Sequence, residues 1–376
     1  MLRVLFLIML IAAPTVSAQL PAPAPLPSIA ARNWLLLDLQ SGQTLASEDA
    51  DERIEPASLT KLMSAYVVFE ALRQKQLSLE QPVPVSAKAW KMPGSRMFLE
   101  PGTSVTVDEL LRGLIVVSGN DAAVALAEAV GGTEDAFVER MNAQARRLGL
   151  TNTHFANATG LPHAQHYTTV SDLARLSQAL VGDFPAFVPL YSLRAFRHNG
   201  ITQPNRNWLL GRDPRVDGLK TGHTESAGYC LIATARSDGR HLLVIVTGTA
   251  SESARAIEAQ KLLNYGLRHY DTVRLYAKGA VVAQLPVRRG AEKSVRAGFD
   301  QDLYVSVPRG QADRLEATLS SRQPLLAPVD TRQPVGVLRL AFDGKPLGEF
   351  AVVALENVRV ASLFGRAWDS LLLWFE

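Results

Sequence analysis

Ser58-Leu59-Thr60-Lys61 sets a hydroxyl and an amine three residues apart at the start of a helical pattern, so both fall on one face, one turn apart. A serine hydroxyl is a weak nucleophile until a base takes its proton. A lysine can be that base when burial and nearby positive charge depress its pKa. The helix N-terminus would also favour the developing negative charge. Alone, the pattern reads more simply as a helix cap followed by a solvated lysine. Ser118-Gly119-Asn120 lies between two helical runs. Its plain reading is a turn in which Asn120 or Asp121 caps the next helix. Its functional reading puts the Ser118 hydroxyl in a proton relay and the Asn120 amide on a substrate. Lys220-Thr221-Gly222, followed by His223, comes just before a strand starting near Tyr229. A strand-edge lysine can bind a carboxylate, the Thr221 hydroxyl adds a directed hydrogen bond, and Gly222 would let a substrate backbone lie close. The plain reading is an edge lysine that discourages aggregation.

Three such motifs need a scaffold that brings them together. Residues 34–39 read as a buried strand, Ser41-Gly42 as a turn, and 43–47 as the returning partner. Helical periodicity covers 57–76 after Pro56, then 107–117, 122–130, 137–148 closed by Gly149, 170–180 with Thr169 or Ser171 as cap, and 252–265. The strongest hairpin joins 229–235 to 242–247 through Ser237-Asp238-Gly239. Residues 28–270 therefore form a sheet with helices. From 271 to 361 the chain changes to short alternating segments broken by Gly and Pro, such as 280–287, 303–307 and 335–342, which predicts a small all-β domain.

Composition narrows the function classes. Of 376 residues, 47% are hydrophobic and 20% charged, which excludes a mostly disordered chain. With 39 basic against 36 acidic residues, a net charge of +3 gives no reason to expect a nucleic-acid partner. One cysteine, Cys230, excludes an internal disulfide and any cysteine-based metal site; inside a hydrophobic strand it reads as a core residue. His163 and His166 could suggest a metal, but no zincin-type Glu accompanies them, and a surface loop with no metal is the expectation. Residues 1–18 have the layout of a secretory signal peptide: Arg3, an apolar run over 4–13, and small residues ending at Ala18. Residues 19–27 form a Pro-rich, extended leader.

Ser-x-x-Lys, Ser-Asp-Asn and Lys-Thr-Gly, in that order, are the signature of serine β-lactamases and penicillin-binding proteins. This chain resembles that superfamily, and within it the low-molecular-weight D-alanyl-D-alanine carboxypeptidases. The stretches EPASLTKLMSAY (55–66), SRMFL (95–99), QPNRNWL (203–209) and VDGLKTGHTESAGY (216–229) all read like that family. Gly119 in the middle motif, rather than Asp, fits the carboxypeptidases better than class A β-lactamases. The resemblance implies an α+β, β-lactamase/transpeptidase-like domain with an antiparallel sheet flanked by helices, then a small β domain and an amphipathic C-terminal helix. It also implies an acyl-enzyme reaction without cofactor. Ser58 would attack the bond between two terminal D-alanines of a peptidoglycan stem peptide, with Lys61 as base. Backbone N–H groups of Ser58 and His223 would form the oxyanion hole. Ser118 and Lys220 would pass a proton to the leaving D-alanine, and Arg206 with Thr221 would hold the terminal carboxylate. A β-lactam would acylate the same serine and persist. A β-lactamase is the first alternative, but no Glu-containing loop motif for deacylation is found. A non-catalytic cell-wall-binding protein is the second, and intact Ser58, Lys61 and Lys220 argue against it.

Residues 362–376 fall into an apolar half containing Trp368 and Trp374 and a polar half containing Arg366 and Asp369. A helix of that length reaches about 22 Å, short of a bilayer core of about 30 Å. It would lie on a membrane surface rather than span it. Such anchors usually carry basic residues, and here Arg366 stands against Asp369 and Glu376. With the leader, this predicts a bacterial periplasmic protein held on the outer face of the inner membrane.

Overall fold

Strand β1 (Asn33–Asp38) is buried at every position, as a strand must be when both faces of its sheet are covered. The computed structural model describes residues 22–321 and 325–361. The expected signal peptide (1–18) and amphipathic helix (362–376) lie outside the described residues. The chain forms two units, divided between Tyr270 and Asp271.

In the first unit β1 is followed by β2 (Thr44–Glu48), a 3-10 turn (Ala57–Thr60), α1 (Lys61–Arg73), β3 (Pro82–Pro84), α2 (Ala87–Trp90), β4 (Ser104–Thr106), α3 (Val107–Val116), α4 (Asn120–Gly131), α5 (Glu134–Arg147) and α6 (Val170–Asp183). Then come β5 (Ala195–His198), β6 (Ile201–Pro204), α7 (Leu209–Arg212), β7 (Val216–Thr224), β8 (Gly228–Ser237), β9 (Arg240–Thr249) and α8 (Glu252–His269). The main sheet runs β2-β1-β9-β8-β7 and is antiparallel throughout. Side chains alternate across it. Leu36 and Leu242 face α8, which comes close because Gly266 has no side chain; a Cβ there would lie 2.7 Å from Leu242 Cδ1. Leu35, Leu37, Leu243 and Ile245 join the core on the opposite side with Leu62, Phe69, Leu110 and Leu176 of the other helices. Helix α1 is buried almost all round, so it runs through the centre of that core and shows no polar face.

Local chemistry explains most boundaries. Thr106, Thr133, Thr169 and Ser251 cap α3, α5, α6 and α8 with side-chain oxygens. Asp238 and Gly239, at φ 52° and 75°, make the tight turn between β8 and β9. The single helix expected over 57–76 is instead a 3-10 turn, entered through a left-handed Ala57 at φ 48°, followed by α1, which ends at Arg73.

Among its described residues the second unit is all-β apart from one 3-10 turn at Ala312–Arg314. Its strands are β10 (Tyr270–Tyr276), β11 (Val281–Arg288), β12 (Ser294–Gly298), β13 (Leu303–Pro308), β14 (Leu315–Ser321), β15 (Leu325–Leu326), β16 (Pro334–Phe342) and β17 (Lys345–Ala354). Six form a sheet ordered β14-β16-β17-β12-β11-β15, and β10 pairs with β13. Val295, Ala297, Leu340 and Phe342 of the larger sheet and Val307 of β13 are buried.

Candidate active site

The 3-10 turn puts Ser58 at the mouth of a cleft of about 390 Å³ and Lys61 beneath it. Gly160 presses onto this turn: a Cβ at that position would lie 1.8 Å from the Ala57 carbonyl oxygen. Only a glycine allows the approach, and it accompanies the uncommon backbone of Ala57. Lys61 is 1% exposed. Its Nζ lies 2.9 Å from Ser58 Oγ, 2.7 Å from Asn120 Oδ1 and 2.6 Å from the Thr159 carbonyl oxygen. The last two atoms can only accept, so a neutral Lys61 donates its two N–H groups to them and turns its lone pair to the Ser58 hydroxyl. Burial, and then the positive charge of Arg206, push Lys61 down to about 7 from 10.5, against an opposing pull from Asp121. That value suits a base working near neutrality.

The middle motif is a strained turn. Ser118 has φ 61° and is buried, and Gly119 precedes α4 without any side-chain cap. Asn120 and Asp121 do not cap the helix through a side chain at that position. Asn120 spends its amide on Lys61 and on the Pro93 carbonyl. Buried Asp121 accepts from the backbone N–H groups of Met97, Phe98 and Leu99, fixing the loop whose Ser95 lines the cleft. A side chain at 119 would strike Asp121 Oδ1 at 2.8 Å, which accounts for the glycine.

Edge strand β7 brings in the third motif. Lys220 is 2% exposed and so is not a solvated edge lysine. Its Nζ donates to Ser118 Oγ at 2.9 Å and to the Thr221 carbonyl at 2.8 Å. Burial, then the charges of Lys61, Arg206 and Arg255, hold it well below its ordinary value. Thr221, Gly222 and His223 line the cleft, with the His223 ring stacked 4.0 Å from Tyr229. The expectation that Gly222 leaves room for a substrate backbone needs correcting. The space its Cβ would fill is taken by Ala57 Cβ and Leu59, 3.2–3.3 Å away. The missing side chain lets β7 dock on the nucleophile's turn.

Ser58, Ser118, Asn120, Arg206, Thr221, Gly222 and His223 thus all line one cleft, with Lys61 and Lys220 buried against it. Arg255 was not legible in the motifs. It is 3% exposed, lines the same cleft, and donates to the Arg206 carbonyl at 3.3 Å. Its only sequence signal is a cation in the opening turn of α8, where the helix dipole disfavours it. Cys230 is a core thiol, as its hydrophobic strand predicts, pushed by burial to about 11. His166 is not on a surface loop: it is buried, 2.9 Å from Thr60 Oγ1.

A serine bonded to a buried lysine, a second serine–lysine pair, and two arginines line or underlie one cleft, an arrangement suited to serine acyl transfer on a ligand that carries negative charge. The chain belongs to the D-alanyl-D-alanine carboxypeptidase family, whose model matches residues 18–251; the penicillin-binding protein 5 C-terminal domain model matches 270–360. It is 39% identical to D-alanyl-D-alanine carboxypeptidase DacC of Escherichia coli over 93% of this chain and 89% of that one. Penicillin-binding protein 5 from Haemophilus influenzae superposes with a TM-score of 0.85 at 36% identity, covering 89% of this chain and 99% of the other. Penicillin-binding protein D2 from Listeria monocytogenes, in its cefotaxime-bound form, gives 0.60 at 29% identity over 65% of this chain and all of that one. The family decides for the carboxypeptidase over the β-lactamase and the non-catalytic protein.

Proposed function

We propose that Ser58 attacks the carbonyl between the two terminal D-alanines of a peptidoglycan stem peptide. The observation that carries this is the 2.9 Å contact from Ser58 Oγ to a lysine whose other hydrogens are already committed. Lys61 takes the Ser58 proton as the Oγ–C bond forms. Backbone N–H groups of Ser58 and His223 hold the oxyanion. Ser118, bonded to Lys220, delivers a proton to the departing amine of D-alanine, and water then hydrolyses the ester. A β-lactam enters the same path and stops at the acyl-enzyme. Mass spectrometry of the intact protein after benzylpenicillin should show one covalent adduct, mapping to the peptide that contains Ser58. An adduct elsewhere would move the nucleophile.

Arg206 and Thr221 hold the free carboxylate of the terminal D-alanine, with Arg255 braced behind Arg206. A hydrogen bond to a charged group is worth about 1.5–3 kcal/mol. Arg206→Ala should therefore lower kcat/KM on the peptide by roughly ten- to a hundredfold at that energy. Amidating the substrate's C-terminus should cost the wild type heavily and the variant little. Equal sensitivity in both would remove Arg206 from this role.

The leader at 1–18 and the amphipathic segment at 362–376 support export to a bacterial periplasm and attachment to the inner-membrane surface. Because the segment's charge is not basic, apolar burial drives the attachment. Flotation of the chain with liposomes should be lost on removing 362–376 and should resist moderate salt. Equal flotation of both chains would exclude the anchor.

A further inference from the structure

The loop over 156–161 supplies the Thr159 carbonyl that receives one hydrogen of Lys61. What holds this loop in place lies outside the three motifs. Asn157 Oδ1 accepts from the N–H groups of Thr159 and Gly160, and its amide donates to the Leu161 carbonyl, so the turn is closed on itself. Ser64 Oγ donates to the Ala158 carbonyl and Glu134 Oε1 accepts the Ala158 N–H, which tie the middle of the loop to α1 and α5. His166 ties its start to the turn that carries the nucleophile. Its Nδ1 accepts the Ala156 N–H at 3.4 Å, which leaves the proton on Nε2, and Nε2 then donates to Thr60 Oγ1 at 2.9 Å. Thr60 sits between Ser58 and Lys61 and is fully buried. The His166 ring is packed edge-on against Phe155. One imidazole therefore bridges the start of the loop to the turn carrying the nucleophile.

We infer that His166 is a positioning residue for acyl transfer: through Thr60 and Ala156 it clamps the 156–161 loop on the nucleophile's turn, and so aims Lys61 at Ser58 and keeps water from it. This rests on Lys61 being the base. The titratable and charged groups facing Lys61 are Arg206, Asp121, Lys220 and His166 itself, and those near His166 are His154, His163 and Lys61. Burial is the main cause that depresses Lys61, so a slack loop that admits water should raise it. His166 stays neutral across the working range, since burial lowers it to about 4.

The test is the pH profile of acylation by benzylpenicillin and of kcat/KM on a peptide ending in D-Ala-D-Ala. In His166→Leu, and independently in Thr60→Val, the acid limb should move up by about one pH unit, a tenfold loss below the limb that recovers at high pH. His166→Gln, whose amide reaches the place of Nε2, should restore the wild-type limb. A limb that stays in place in both His166→Leu and Thr60→Val, or equal shifts in the Leu and Gln variants, would overturn the inference. A wild-type profile with no acid limb between about pH 6 and 8 would instead overturn Lys61 as the base.

Discussion

Ser58→Ala should neither release D-alanine nor bind penicillin covalently. Losing the nucleophile from a serine hydrolase costs on the order of 10⁶ in turnover. Of the other hydroxyl side chains lining the cleft, which include Ser95, Thr221 and Thr224, Ser118 is the one bonded to a lysine and so the substitute to test. It is held by Lys220, not by Lys61, and its strained turn fixes its direction. The variant should keep its fold, because the Ser58 side chain has one protein partner, Lys61. Removing a hydroxyl leaves that amine bonded to Asn120 and Thr159. Reversible binding of the anionic ligand should survive, since the arginines are untouched. A penicillin adduct on Ser118, or residual turnover above a thousandth of wild type, would reassign the chemistry.

Lys61→Ala should cut acylation by peptide and by β-lactam alike, by about 10²–10⁴, the usual contribution of a general base. The pH dependence gives the sharper result. Burial, followed by Arg206, lowers Lys61 to about 7, so the amine is protonated and inactive below that pH and free above it. Wild-type acylation should climb through pH 7 to a plateau, and the climb should vanish in Lys61→Ala. Lys61→Arg keeps the charge but cannot release its proton, so raising the pH should not rescue it. A limb that survives both substitutions would belong to another group.

Some of this was readable before any coordinates. The Ser58–Lys61 spacing, the Asp238-Gly239 turn and the Thr169 cap are local facts, and local chemistry decides them. The break between α1 and the turn before it was not, because the turn at Ala57 packs against Gly160, a hundred residues away in the chain. Gly222 was read as a gap for substrate when its neighbour is Leu59. Asp121 looked like a cap because a sequence cannot show that the N–H groups of 97–99 come to it. Arg255 and the Thr159 carbonyl enter the site only once α8 and the 156–161 loop are placed, and a backbone oxygen has no letter of its own. The short pairs β3–β4 and β5–β6 fall below the length at which alternation can be counted.

Two lysines buried in one cleft have a consequence for the folding reaction itself. In the unfolded chain each binds its proton up to about pH 10.4. In the folded unit Lys61 gives its proton up at about 7, and Lys220 is also well below its ordinary value. Between those limits the unfolded chain holds more protons, so folding expels them and stability rises with pH across that window. Below it, the folded unit must house the full charge. Calorimetric unfolding at pH 8 should therefore show an enthalpy that changes with the ionisation enthalpy of the buffer. An enthalpy indifferent to buffer would mean that the lysines keep their protons in the fold.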